Sequence, residues 1–485
     1  MGISKQSFYK SLIFVAITTA ISACTNSSHI SKQATAPLLP VSWSDAQNVS
    51  SDKEKFLGDW QFIIDDVALQ SAINTALENN FTLNAKYQEF LIAKQQLIVS
   101  NATDLPELSL GVDQSRRKTV NSSNIYSNDA SISLELQYEV DIWGKLRDEQ
   151  KQAQLRFQAA ELSFLQEKNQ VITNVVNAWF NLVEARTLEN LYIERANNLR
   201  NNLEIIDASY QLGLSQALDV YLAQNDVNSE LARIEQQQQT VSERKRLLEI
   251  LLGYYPSGQQ FSDITLELPS LNNELFIDLP ANTLTASYSI QAKWFDLLAT
   301  DMGVAIAHKN RFPSFRLSAS GGDSSDELSN LLDGGSLAWS VAGSITAPLF
   351  NAGRLKALEE QAKLTVKQKE QEYLLSLYNT FSDIENNISN HFALNQQLNY
   401  FEKAKENALA AESLSFNQYL KGLVEYSTVL EAQRRAFDAQ TNVIQLANQI
   451  IQNRIALYAE LGGSQLSAEF KDKFTAQRQV SNEQL

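Results

Sequence analysis

Cysteine is almost absent from this chain. A single residue, Cys24, rules out an intramolecular disulfide and any multi-cysteine metal site. Only three histidines occur, His29, His308 and His391, and none stands four residues from another, so paired ligands on one helix face are excluded too. Positive charge is scarce: 40 Lys and Arg against 56 Asp and Glu leave a formal net charge of −16. A polyanion repels nucleic acid, and no basic stripe overrules that. There is no glycine-rich phosphate loop, nucleophile elbow or metalloprotease helix. The expectation is a non-enzyme that carries no cofactor. Proline is rare as well, 8 in 485 residues, which leaves room for unusually long helices.

What is present begins with an address. Lys5 and Lys10 precede an uncharged run, Leu12 to Ala23, too short for a permanent membrane span but suited to a signal-peptide core. The run ends in Ile21-Ser22-Ala23-Cys24, which resembles the bacterial lipoprotein box, in which the cysteine becomes the first residue and carries lipid. Thr25 rather than Asp follows it, and by the sorting rule of such signals the outer membrane is favoured. Residues 1–23 are therefore expected to be a signal peptide, and 24–65 a lipidated tether.

The strongest internal feature is a repeat. A shift of 209 places lays Gly144-Lys-Leu-Arg147 on Gly353-Arg-Leu-Lys356 and Tyr210-x-x-Gly213 on Tyr419-x-x-Gly422. The same shift pairs Val220 with Val429, Ala223-Gln224 with Ala432-Gln433, and Leu252-Gly253 with Leu461-Gly462. A constant offset over 110 residues requires two halves built to one length, as duplication gives. The first repeat covers 66–253, with leading helices, strands at about 106–117 and 130–141, and a helical hairpin over 144–253. A linker or equatorial region over 254–285 follows. The second repeat covers 286–462, with a helix, strands at about 313–322 and 336–347, a hairpin over 353–462, and a tail over 463–485.

The strands are read from alternation. Ile132, Leu134, Leu136, Tyr138 and Val140 interleave with polar residues, as do Leu337, Trp339, Val341 and Ile345 with small or polar ones. The stretch Gly334–Gly353 has no charge and the length of a transmembrane helix, but Gly343, Pro348 and the strict alternation make it a strand. Apolar-out, polar-in alternation suits a membrane β-barrel or a half-buried soluble sheet equally. The helices are read from steps of three and four, such as Val171, Val175, Trp179 and Leu182, and Ile444, Ala447, Ile451, Ile455 and Tyr458. Gly144 to Gln211 lacks any internal proline or glycine, which predicts a rod of roughly 100 Å at ~1.5 Å per residue, and each rod turns back at a glycine into a coiled-coil hairpin. Four strands cannot close a barrel, and lipid does not tolerate open edges. Strands placed in a membrane would force oligomerisation, and three chains would supply twelve.

Tyr138-Glu-Val-Asp-Ile-Trp-Gly-Lys-Leu-Arg147, Asn310-Arg-Phe-Pro-Ser-Phe-Arg-Leu-Ser-Ala-Ser320, Ala347-Pro-Leu-Phe-Asn-Ala-Gly-Arg-Leu355 and both Tyr-x-x-Gly turns carry a resemblance over nearly all of the mature chain. The chain resembles the TolC-like outer-membrane factor family, in the lipoprotein branch that serves resistance–nodulation–division efflux pumps. It departs at Ser287-Tyr-Ser-Ile290, where the family usually has Arg-Pro-Asp-Ile. The resemblance implies a homotrimer set in outer-membrane lipid, a 12-stranded barrel continued by a long α-helical periplasmic tunnel, working with a periplasmic adaptor (membrane fusion) protein and an inner-membrane pump. The adaptor is expected at the turns Gly213, Leu214, Ser215 and Gly422, Leu423, Val424. The resting gate is expected at Asp219, Tyr419, Tyr426, Ser427 and Glu431, with Asp219 and Glu431 holding the family's acidic positions and Thr428 replacing an acid that some relatives carry. The function implied is a passive export duct for small toxic molecules such as drugs. A type I protein-secretion exit uses the same architecture, and a periplasmic coiled-coil scaffold without a pore would explain the helices alone.

Overall fold

The structure, a computed structural model, describes residues 66–120, 124–261, 287–331 and 337–460, with a few residues between 29 and 44 and between 268 and 271. The expected signal peptide, Cys24, and most of the tether, the linker and the tail lie outside the described residues. Elements follow in the order α1 (Val67–Asn79), α2 (Phe81–Ala102), β1 (Glu107–Val120), β2 (Asn124–Glu139), α3 (Lys145–Gln211), α4 (Ala217–Leu251), α5 (Tyr288–Lys309), β3 (Ser314–Ser325), β4 (Ala338–Thr346), α6 (Arg354–Leu420) and α7 (Tyr426–Glu460). The two hairpins are equal in length: α3 and α6 have 67 residues each, α4 and α7 have 35 each. The repeat offset of 209 carries each helix of the first hairpin onto its counterpart end to end.

The chain divides into two compact units. One contains the sheet, α5 and the starts of α3 and α6 (91–160 and 292–375). Its four strands are antiparallel in the order β1-β2-β3-β4. Cross-strand partners share a face, so the register sorts side chains into two sets. One face stacks Leu110, Leu134, Gly321 and Trp339 in one row and Leu108, Leu136, Ala319 and Val341 in the next. The other stacks Ser109, Glu135, Ser320 and Ser340, then Glu107, Gln137, Ser318 and Ala342. The apolar face is open in the single chain: Trp339 is 80% exposed and Val341 71%. The uncharged stretch ending at Gly353 holds strand β4, and no described helix is long and apolar enough to cross a membrane. The structured hairpin outruns its alternation signal, because β2 starts at Asn124, not near 130. Residues 124–129 are mostly polar and give no period-two pattern, yet their backbones pair with β1 up to Val120.

The junction from strand to helix explains the Asp-Ile-Trp-Gly-Lys-Leu-Arg segment physically. Asp141 accepts from the backbone N–H groups of Leu146 and Arg147, both at 3.1 Å, and so caps α3, while Gly144 takes φ +72°. The Trp143 indole donates to the Pro313 carbonyl at 2.7 Å and stacks on Phe312 at 5.1 Å. Lys309, ending α5, reaches Asp148 at 2.6 Å and the Gly144 carbonyl at 3.1 Å. Ser287, where the sequence departs from the family, opens α5: its carbonyl accepts from Gln291 and its hydroxyl from Ile290.

The second unit contains α1, α4, α7 and the remainders of α3 and α6 (39–90, 161–291 and 376–485). Its core holds the predicted stripe of α3: Val171, Val175, Trp179 and Leu182, with Ile172, Val176 and Val183, are all buried. From α7 it takes Ile451, Ile455 and Tyr458.

Candidate functional site: the hairpin turns and the tyrosine–aspartate pair

Both hairpins reverse in the same way. In the first, Gly213 has φ +75°, and the Leu214 N–H reaches back to the Ser209 carbonyl at 2.8 Å. In the second, Gly422 has φ +71°, and the Leu423 N–H reaches Gln418 at 3.0 Å. This bond from the third residue past the helix to the last turn is a Schellman closure, and its left-handed residue favours glycine. Space is not the reason for glycine, since a Cβ at either position would meet nothing within 4 Å. Ser215 adds a tie from its hydroxyl to the Ile206 carbonyl at 3.1 Å. The turns leave large apolar side chains in solvent: Leu212, Leu214 and Leu423 are each at least two-thirds exposed.

Beside the turns lies an open cleft of about 620 Å³, lined by Leu214, Ser215 and Asp219 from one hairpin and by Tyr419, Gly422, Val424, Tyr426 and Ser427 from the other. The Tyr419 hydroxyl donates to Asp219 Oδ2 at 2.9 Å and so bridges the two hairpins. Burial first, then the hydrogen bond and charge of Asp219, push the Tyr419 phenol up to about 12, so it remains a donor at any physiological pH. Its ring lies 5.3 Å from that of Tyr426. Tyr426 is 1% exposed, packed with Ile206, Ala223 and Val429, and burial raises its phenol as well. Its hydroxyl finds no partner among the described residues.

The structure thus gathers Asp219, Tyr419, Tyr426, Ser427 and both turns. It does not bring in Glu431. That carboxylate bonds to Arg435 at 2.8 Å and Arg434 at 2.6 Å on its own helix, and the two guanidiniums hold its pKa below the ordinary value. The signal was available in the sequence as arginines three and four residues on, the spacing that places side chains together on a helix. Ser427 sits at the cleft's edge, 3.4 Å from Glu425.

A second polar group was missed in the sequence because its members are scattered. Arg195 Nε lies 3.3 Å from Glu230, which is nearly fully buried, and its guanidinium sits 4.0 Å above the Phe437 ring. Glu412 and Gln433 close round the same small cavity of about 110 Å³. Burial, partly offset by Arg195, raises the pKa of both Glu230 and Glu412. Nothing marks Arg195 among the five arginines of α3.

The profile of the family described as "Outer membrane efflux protein" matches residues 72–254 and 279–463, one block in each repeat. The toluene efflux pump outer membrane protein TtgF of Pseudomonas putida is 27% identical over 413 residues, 83% of this chain and 85% of that protein. A probable outer membrane lipoprotein, SilC of Salmonella typhimurium, is 24% identical over 83% of this chain and 87% of its own length. Among solved structures, the CmeC outer membrane channel of Campylobacter jejuni superposes with a TM-score of 0.80 at 22% identity, covering 90% of this chain and 95% of that one. Two profile blocks that together span most of the chain, on a fold shared with outer-membrane channels, place this protein in the outer membrane efflux protein family.

Proposed function

We propose that this chain is the outer-membrane duct of a tripartite efflux system, a passive homotrimeric conduit through which an inner-membrane pump, joined by a periplasmic adaptor, expels small toxic molecules. One observation carries the reading: a four-stranded sheet, apolar on one face and polar on the other, with β1 and β4 unpaired at its edges. In lipid, unpaired backbone groups cost several kcal/mol each, so such edges must be met by other strands. Three copies supply twelve strands, enough to close a barrel whose lumen takes the polar face. TtgF is named for toluene efflux and SilC as a lipoprotein. Both names suit a small-molecule cargo and a lipid on Cys24.

The resting closure is assigned to the cleft by the turns. Tyr419 bonded to Asp219 ties the second hairpin to the first, and a trimer repeats that tie around one axis. Asp219 accepts that bond in the cleft, and a ring of three such acids favours cations. Glu431, neutralised by Arg434 and Arg435, contributes less charge than an unpaired acid would. The test is single-channel recording in planar bilayers. Tyr419→Phe and the Asp219→Ala/Glu431→Ala pair are expected to conduct more than wild type, with cation preference reduced in the pair. Unchanged conductance and selectivity in both would leave the cleft a structural feature only.

A further inference from the structure

The geometry points to a binding site for the phosphate groups of outer-leaflet lipid at the far end of the β1–β2 hairpin, formed by Arg116 and Lys118 around Tyr126. This rests on the strands lying in the outer membrane. The apolar face runs in rows from Phe315/Ile345 through Tyr138/Leu317, Leu108/Val341 and Leu110/Trp339 to Val112/Ile132. Eight residues along a strand make ~27 Å, or ~20 Å along the membrane normal at the usual barrel tilt, which fills most of the ~25 Å apolar band of a barrel. At the helix-proximal margin stand Trp143 and Phe315, ring centroids 6.4 Å apart. At the distal margin β1 and β2 continue past β3, which stops pairing at Ala130↔Ser325.

On that projecting hairpin the register keeps Arg116 and Lys118 on the apolar face, opposite Asn128 and Tyr126. Arg116 lies 5.2 Å and Lys118 5.5 Å from the centre of the Tyr126 ring, so one half-exposed aromatic holds two cations side by side. The neighbouring acids are sorted away: Asp113 and Asp129 pair with Ser131 and Ser115 on the polar face, where Arg117 also lies. The one carboxylate on the apolar face among the described strand residues is Asp323, two rows nearer the helices and on β3. A face that is largely apolar for about 20 Å along the membrane normal and then presents an arginine, a lysine and a tyrosine meets acyl chains first and headgroups next. Guanidinium and ammonium recognise phosphate through charge-assisted hydrogen bonds, and the phenol ring suits the interface.

The experiment titrates bisphosphorylated lipid A onto the full-length detergent-solubilised protein and reads bound lipid by native mass spectrometry. Arg116→Ser/Lys118→Ser is compared with wild type and with Arg117→Ser, which removes a charge from the same hairpin on its other face. Wild type and Arg117→Ser are expected to bind alike, the double variant roughly tenfold more weakly. Dephosphorylated lipid A should bind wild type no better than lipid A binds the double variant. Equal binding by all three proteins overturns the site, and so does an equal loss in Arg117→Ser. Displacement by the same concentration of inorganic phosphate reduces it to a free-anion site and also overturns it. The trimer mass in the same spectra reports the barrel separately, so a failed site is told apart from a failed duct.

Discussion

Glu359 shows how a single side chain ties stability to pH. Its carboxylate is 10% exposed and is held by Arg311 at 2.6 Å, Lys363 at 2.9 Å and His308 at 3.3 Å. Burial alone would raise its pKa; the hydrogen bonds of Lys363, Arg311 and His308 overcome that and bring it to about 2. Because the folded pKa lies below the ordinary 4.5, the stabilisation is complete above pH 4.5 and drains away as the pH falls toward 2. Glu230 and Glu412 act oppositely: burial raises their pKa, so their contribution is greatest at low pH and is lost as the pH rises through the raised value. In Glu359→Gln the loss of helical circular dichroism on heating is expected to depend less on pH between 4.5 and 2 than in wild type. At neutral pH the variant is expected to be less stable by roughly 1 kcal/mol, since Arg311 and Lys363, both partly exposed, lose their charged partner. Parallel pH curves for the two proteins would remove Glu359 from this role.

Among the elements, the two hairpins show how length becomes position. With 67 residues in each outgoing helix and 35 in each return, both reversals come after the same number of turns. Glycine at 213 and 422 was legible because a Tyr-x-x-Gly pattern interrupts two long glycine-free stretches, and the observed φ values supply its reason. What the sequence did not reveal is that the turns expose leucines rather than hide them. Leu212, Leu214 and Leu423 form the kind of apolar tip that a partner helix can cover. Photo-crosslinkers at Ser215 and Val424 are therefore expected to capture the periplasmic adaptor in intact cells. Capture only from positions near Trp143 would take the docking surface away from the turns.

For the whole molecule, the decisive feature is a sheet that one chain leaves open. Val341 lies in the middle row of the apolar face and Ser340 beside it on the polar face. Val341→Arg would put a charge near the bilayer midplane, at a cost of roughly 2–4 kcal/mol per chain, whereas Ser340→Arg would point into the lumen. Gel electrophoresis of unheated membrane extracts in mild detergent is expected to show trimers for wild type and Ser340→Arg and their loss in Val341→Arg. Cys24→Ser is expected to lose incorporated lipid label and yet keep the trimer, because the barrel itself holds the chain in the membrane. Trimers surviving in Val341→Arg would mean that this face does not meet lipid.

The sequence alone determined what depends on near neighbours and on length. Residue periods of two and of three to four gave strands and helices, the 209-residue offset gave two equal hairpins, and the isolated glycines gave the turns. These signals are local, since each is fixed by backbone geometry within a few residues. Tertiary structure alone decided which distant groups meet. Tyr419 and Asp219 stand 200 positions apart, and no periodicity states that their helices bring hydroxyl and carboxylate to 2.9 Å. Likewise Asn124 to Asp129 look like loop until their backbones find β1, and only that register sets Lys118 opposite Tyr126 and Arg116 opposite Asn128. Pairing across a sheet or between helices is a matter of packing, and a one-residue slip would reverse every such assignment.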